Sequence, residues 1–185
     1  MVLRLAGTAG SADQVSWKTW LASLRRKQPP RYWALVDPYW DAVSIYDGPE
    51  VFLAGFSAVP TPSKHLLATH WLQSEVHNGG FSQFFSNSTG VLAPEAVAGF
   101  RAIGMPRSAD LVEEAMAWLG PSYPRDRDER NDALDAFEEA HGVDHGPECD
   151  VCSADSRFWD LMANEAGGFD AAADFFAQQH SRPTQ

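Results

Sequence analysis

Apolar side chains recur along this chain at helical rather than strand spacing. In "SWKTWLASLRRKQ", Trp17, Trp20, Leu21 and Leu24 fall at i, i+3, i+4 and i+7, one face of a helix with Ser16 as its cap. Pro29 and Pro30 stop it. "RYWALVDPYWDAVSIYD" is a second apolar segment, kinked or broken near Asp37 by Pro38. "GPEVFLAGFSAV" predicts a short helix with Pro49 near its first position. The strongest signal is "TPSKHLLATHWLQSEVHN", opened by Pro62, where Leu67, Trp71 and Ser74 share a stripe with Leu72 and Val76 beside it. "FSQFFSN" restarts a short helix with Phe81, Phe84 and Phe85 on one face. "APEAVAGFRAI" follows, with Pro94 near its start and Gly104 as its stop. "SADLVEEAMAWLG" takes Ser108 as N-cap and turns Leu111, Ala115, Trp118 and Leu119 inward. "DRDERNDALDAFEEAH" points Leu134, Phe137 and Ala140 or His141 inward, and "SRFWDLMANEAGG" and "FDAAADFFAQQH" close the chain. No segment sustains period-2 alternation with β-branched residues. The expected fold is all-α: a single compact domain of seven to nine short helices over residues 15–185, after a loose leader at 1–14.

Between the fourth and fifth of these segments lies Asn78-Gly79-Gly80. A phosphate loop needs glycines after a strand and a basic or hydroxyl residue aimed at the phosphate. Here the glycines follow a helix, and the next basic residue is Arg101. The expected role is a hinge: Asn78 ends one helix, the glycines turn the chain at little steric cost, and the phenylalanines anchor the next. An enzymatic reading has raw material in His65, His70, Glu75 and His77. Yet the chain contains neither H-E-x-x-H nor G-x-S-x-G. A small-molecule-binding or hydrolytic pocket near His70, Glu75, His77, Asn78, Gln83 and Asn87 stands as an alternative function.

The formal net charge is −11, and it is unevenly placed. Residues 110–185 hold 18 acidic against 5 basic side chains, whereas residues 1–109 hold 7 against 9. Direct binding to nucleic acid is excluded by this balance, because it relies on a basic footprint. No run approaches the roughly 20 apolar residues of a membrane span, and a cytoplasmic protein is the default. Within "DRDERNDALDAFEEAH", Asp128, Asp132, Asp135 and Glu139 lie at i, i+4, i+7 and i+11, an outer stripe that is wholly acidic, either a solvated face that keeps the protein soluble or a surface for a basic partner.

The two cysteines stand in "HGVDHGPECDVC", which reads H-x3-H-x3-C-x2-C from His141 to Cys152. His141, His145, Cys149 and Cys152 are the ligand types of tetrahedral zinc, in a Gly- and Pro-marked loop. Four protein ligands leave no open position, so such an ion is structural, and the chain would be a zinc-stapled interaction module. A surface loop with two free thiols and a redox C-x-x-C are the competing readings; no strand precedes the pair, as thioredoxin-like chemistry requires.

"SIYDGPEVFL", followed by "SEVHNGGFSQFFSNSTGVLAPEAVAGFRAIG", resembles the DNA-mimic protein family, long labelled a domain of unknown function. The resemblance runs over residues 33–119 and is weaker across 125–185, where the acidic helices and the Cys/His loop lie. It implies an α-helical, acidic, dimeric, non-enzymatic protein. It also implies a partner: a basic or DNA-binding protein such as a transcriptional regulator, whose DNA site carboxylates occupy in place of phosphates. The charges offered are those of Asp126, Asp128, Glu129, Asp132, Asp135, Glu138 and Glu139, helped by Asp110, Glu113 and Glu114. The four-residue stripe spans roughly 17 Å of helix, where duplex DNA carries about ten charges. Arg127 and Arg130 offset part of the row. The stripe alone is therefore too sparse, and a match needs the other surfaces or a second subunit.

Overall fold

A computed structural model describes residues 29–41, 44–141 and 149–181. Over them the chain is helical: α1 (Trp33–Trp40), α2 (Pro49–Ser57), α3 (Thr61–Ser86), α4 (Ala93–Ala102), α5 (Pro106–Met116), α6 (Arg127–His141), α7 (Asp150–Asn164) and α8 (Phe169–His180). Three 3₁₀ turns, Ser88–Leu92, Ala117–Leu119 and Glu165–Gly167, join neighbours, and the described residues contain no strand. The all-α expectation holds. The helix expected to begin at Ser16, and the leader before it, lie outside the described residues.

The starts follow the prolines. Pro49, Pro62, Pro94 and Pro106 all sit in the first turn of a helix, where the missing N–H costs nothing. Pro38 lies inside the eight-residue α1, which ends two residues later. One expected cap is corrected. Ser108 lies inside α5, fully buried, and its backbone N–H and hydroxyl both donate to Glu165, at 2.9 and 2.6 Å. Glu165 also accepts from the Arg107 N–H at 2.8 Å. The orphan donors at the head of α5 are thus met by a carboxylate 57 residues away, not by a local serine.

The cysteine stretch also departs from its expected conformation. Asp150 and Cys152 belong to the first turn of α7, where a loop was expected. Cys149 is its N-cap, with Sγ accepting from the Cys152 N–H at 3.2 Å.

Helix α3 is the centre of the molecule: α1, α4, α6 and α7 all pack against it. Its buried residues, from Leu66 through Leu72 and Val76 to Phe81, Phe84 and Phe85, form the core with Phe100 of α4 and Phe158 of α7. Phe81 meets Phe158 edge-on, ring centres 5.3 Å apart. Trp118 meets Phe81 and Phe85 edge-on and stacks on Phe137 of α6 at 5.3 Å. Each phenylalanine so buried stabilises the fold by roughly 2–3 kcal/mol.

Candidate functional site

Helix α3 bends at the two glycines. Gly79 (φ −163°, ψ 23°) and Gly80 (φ 78°, ψ −179°) leave helical geometry inside the element. The positive φ falls at Gly80, in a region that only glycine occupies without strain. A Cβ there would also lie 2.3 Å from Asp155 Oδ2. Asp155 of α7 uses that space: its Oδ1 accepts the Phe81 N–H at 2.8 Å and caps the second half of α3. Burial raises the Asp155 carboxyl above its ordinary value, while the Phe81 hydrogen bond pulls it down.

The bend is tied on its other side by Glu75. Its carboxylate accepts from Gln83 Nε2 (3.0 Å), Asn87 Nδ2 (2.9 Å) and Thr89 Oγ1 (3.3 Å). In a straight helix residues 75 and 87 would be about 18 Å apart, so these contacts require a sharp bend. Glu75, Gln83 and Asn87, candidates for a pocket by sequence, are therefore brought together as a structural tie. His70 is elsewhere, its Nδ1 hydrogen-bonded to the buried Tyr32 hydroxyl at 2.9 Å among the rings of Trp33 and Trp40. His77 is exposed and stacks on Trp159. The hinge reading of Asn78-Gly79-Gly80 matches this geometry.

Arg130 is the residue that sequence reasoning misread. It lies on the acidic helix α6 but is 1 % exposed and turned into the molecule. Its guanidinium donates to three backbone carbonyls: Phe85 (2.8 Å), Asn87 (2.8 Å) and Arg125 (2.6 Å). Two of them belong to the C-terminal end of α3, where carbonyls lack helical partners. Gly90 makes room, since a Cβ there would lie 2.9 Å from Arg130 Nε. The signal available beforehand was its place in the heptad: Arg130 precedes Leu134 by four residues, on the inner face.

With Arg130 inside, the outer face of α6 changes. Asp126, Asp128, Glu129, Asp132, Asp135 and Glu139 are exposed, and among the described residues none has an arginine or lysine within ion-pairing distance. Asp126 Oδ1 caps the helix through the Asp128 and Glu129 N–H groups, at 2.9 and 3.2 Å. Glu138 is half-buried and accepts from Ser82 of α3 at 3.0 Å. Arg127 remains exposed, its Nε donating to the Ser86 carbonyl at 2.7 Å. From Asp126 to Glu139 the helix rises about 20 Å. One DNA strand carries about six charges over that length, at one per 3.4 Å, and the six exposed carboxylates come close to it even after the one exposed guanidinium, Arg127, is subtracted.

The three acids of α5 are placed differently. Arg101 of α4 pairs with Asp110 (3.3 Å) and Glu113 (2.7 Å), and Arg157 of α7 pairs with Glu114 (2.7 Å). Hydrogen bonds from these guanidiniums hold Glu113 and Glu114 below the ordinary carboxylate value. Exposed pairs of this kind add little stability, but they cancel outward charge. Asp110 and Glu114, with Arg157, Asp160 and Glu165, line a polar groove of about 640 Å³ between α5 and α7.

Of the four zinc candidates, His145 lies outside the described residues. His141 is exposed, its Nδ1 bonded to the Phe137 carbonyl at 2.8 Å and its ring stacked on Phe137. That position corrects the inward placement expected for Ala140 or His141, both of which are exposed. Among the described residues no three His, Cys, Asp or Glu side chains converge as a metal site. Also among them, no helix is long and apolar enough to cross a membrane.

No curated protein and no solved structure matched the chain. A family model described as DMP19-like protein matches residues 57–180. The match starts later than the sequence resemblance and runs on through α6, α7 and α8, the region where that resemblance was weaker. It covers about two-thirds of the 185 residues and includes the bend, the buried arginine and the acidic helix. The chain belongs to the DMP19-like family of DNA-mimic proteins.

Proposed function

We propose that this protein acts by binding rather than by turnover, presenting the carboxylates of α6 in place of nucleic-acid phosphates to the DNA-binding face of a basic protein, such as a transcriptional regulator. The observation that carries the reading is the outer face of α6. Of its two arginines, Arg130 is buried and Arg127 stays exposed at its head, while its six exposed carboxylates are unpaired among the described residues at about the mean charge density of a single strand. The α5 acids Asp110, Glu113 and Glu114 contribute less, because arginines neutralise them. Glu138 contributes through Ser82 to the placement of α6, not to its outer charge.

The experiment is capture of partners from the protein's own nuclease-treated cell lysate, with elution challenged by salt and by duplex DNA. A DNA-binding protein released by both supports the reading, because exposed charge pairing is screened by salt and DNA competes for the same face. Capture indifferent to both, or no basic partner, contradicts it.

A further inference from the structure

A cavity of about 300 Å³ opens at the head of α6, where the acidic row begins. One wall is apolar: Ile45, Tyr46, Pro49 and Phe52 from the start of α2 and the turn before it, and Val91 from the first 3₁₀ turn. The rest of the lining includes charges of both signs, Arg125, Arg127 and Arg130 together with Asp126 and Asp128.

The partners of these groups differ. Arg125 is spent on Glu95, which it grips through both Nη atoms at 2.7 and 3.0 Å, and on the Val91 carbonyl. Arg130 has no carboxylate partner among the described residues, only three carbonyls. Arg127 uses Nε alone, on the Ser86 carbonyl, and its two Nη groups have no partner among the described residues. Asp126 spends Oδ1 on the helix cap, and the Asp128 carboxylate accepts no hydrogen bond there. The three guanidiniums are balanced by Asp126, Asp128 and Glu95, so the site as a whole is close to neutral. A simple anion would meet two carboxylates, and a simple cation would meet three guanidiniums. A net-neutral ligand carrying both charges meets neither obstacle.

We propose that this cavity binds a free amino acid with an apolar side chain. The planar fork of Arg127 suits the α-carboxylate. The free oxygens of Asp128 and Asp126 suit the α-ammonium, and the wall of Pro49, Phe52 and Val91 takes the side chain. The volume fits a residue the size of leucine or phenylalanine.

The test is calorimetric titration of the full purified chain with L-leucine and L-phenylalanine up to tens of millimolar. Three truncated probes run beside them: 4-methylpentanoate without the amine, 3-methylbutylamine without the carboxylate, and glycine without the side chain. Saturable binding of leucine or phenylalanine is expected, weakened at least tenfold in each truncated probe. Arg127→Gln and Asp128→Asn, both exposed and made on a protein whose thermal melt is checked, should each weaken leucine binding at least tenfold. The proposal is overturned by a flat titration with both amino acids, by a truncated probe that binds as well as leucine, or by unchanged binding in the two variants.

Discussion

At the scale of single residues, the fold depends on a few polar groups buried where the sequence advertises surface. Arg130 is the clearest. Replacing it with methionine keeps bulk and removes every donor, leaving the carbonyls of Phe85, Asn87 and Arg125 without it. Urea denaturation of Arg130→Met should show a loss of at least about 3 kcal/mol, since hydrogen bonds from a charged donor contribute about 1.5–3 kcal/mol each. Asp155 makes a graded case. Asp155→Ala removes the cap on Phe81 and should cost about 1–2 kcal/mol. Asp155→Asn keeps an acceptor oxygen and relieves a buried charge, so the same denaturation curve should lie closer to the wild type. His70 supplies the pH dependence. Burial pushes its imidazole down to about 4, against an unfolded value near 6.5. The unfolded chain therefore binds more protons between these values, and stability falls as pH drops from 6.5 towards 4. Above 6.5 its contribution is constant. His70→Gln, which keeps a hydrogen-bonding group for Tyr32, should flatten melting temperature against pH across that window.

At the scale of elements, most of the architecture was legible and the joints were not. Proline positions and the helical spacing of apolar side chains found α2, α3, α4, α6 and α8, because both signals are local. The boundaries that shifted are those set from a distance. Ser108 looked like a cap until Glu165, far along the chain, took that role. The Cys149-Cys152 stretch looked like a loop because Gly and Pro precede it, yet Cys149 caps the next helix. The Asn78-Gly79-Gly80 bend was readable as a hinge from its glycines alone. Its partners, Asp155 on α7 and the tie from Glu75 to Gln83, Asn87 and Thr89, were not, since they form only after the chain folds back. The same tie moves Glu75 from candidate catalyst to bracket.

At the scale of the whole molecule, charge and packing separate the two sets of acids. The chain is acidic overall, but net charge alone would have counted Asp110, Glu113 and Glu114 equally with the α6 row. Tertiary structure gives the first three arginine partners and turns Arg130, one of the two arginines of α6, away from solvent. That sorting is invisible to a sequence count, because it depends on which helices become neighbours. It leaves α6 as the face on which the functional proposal stands, with the density of one strand rather than of a duplex.

The most direct test of that claim is the affinity of a captured DNA-binding partner for the wild-type chain and for the Asp128→Lys, Asp132→Lys, Asp135→Lys triple variant. The measurement is made at two salt concentrations, with duplex DNA as competitor. All three positions are exposed, so the variant should melt within a few degrees of the wild type. The account predicts wild-type binding that weakens with salt and yields to DNA, and an affinity at least about a hundredfold lower in the variant, because like charges then oppose across the interface. A folded triple variant that binds as tightly as the wild type would contradict the assignment of α6 as the face that stands in for phosphates.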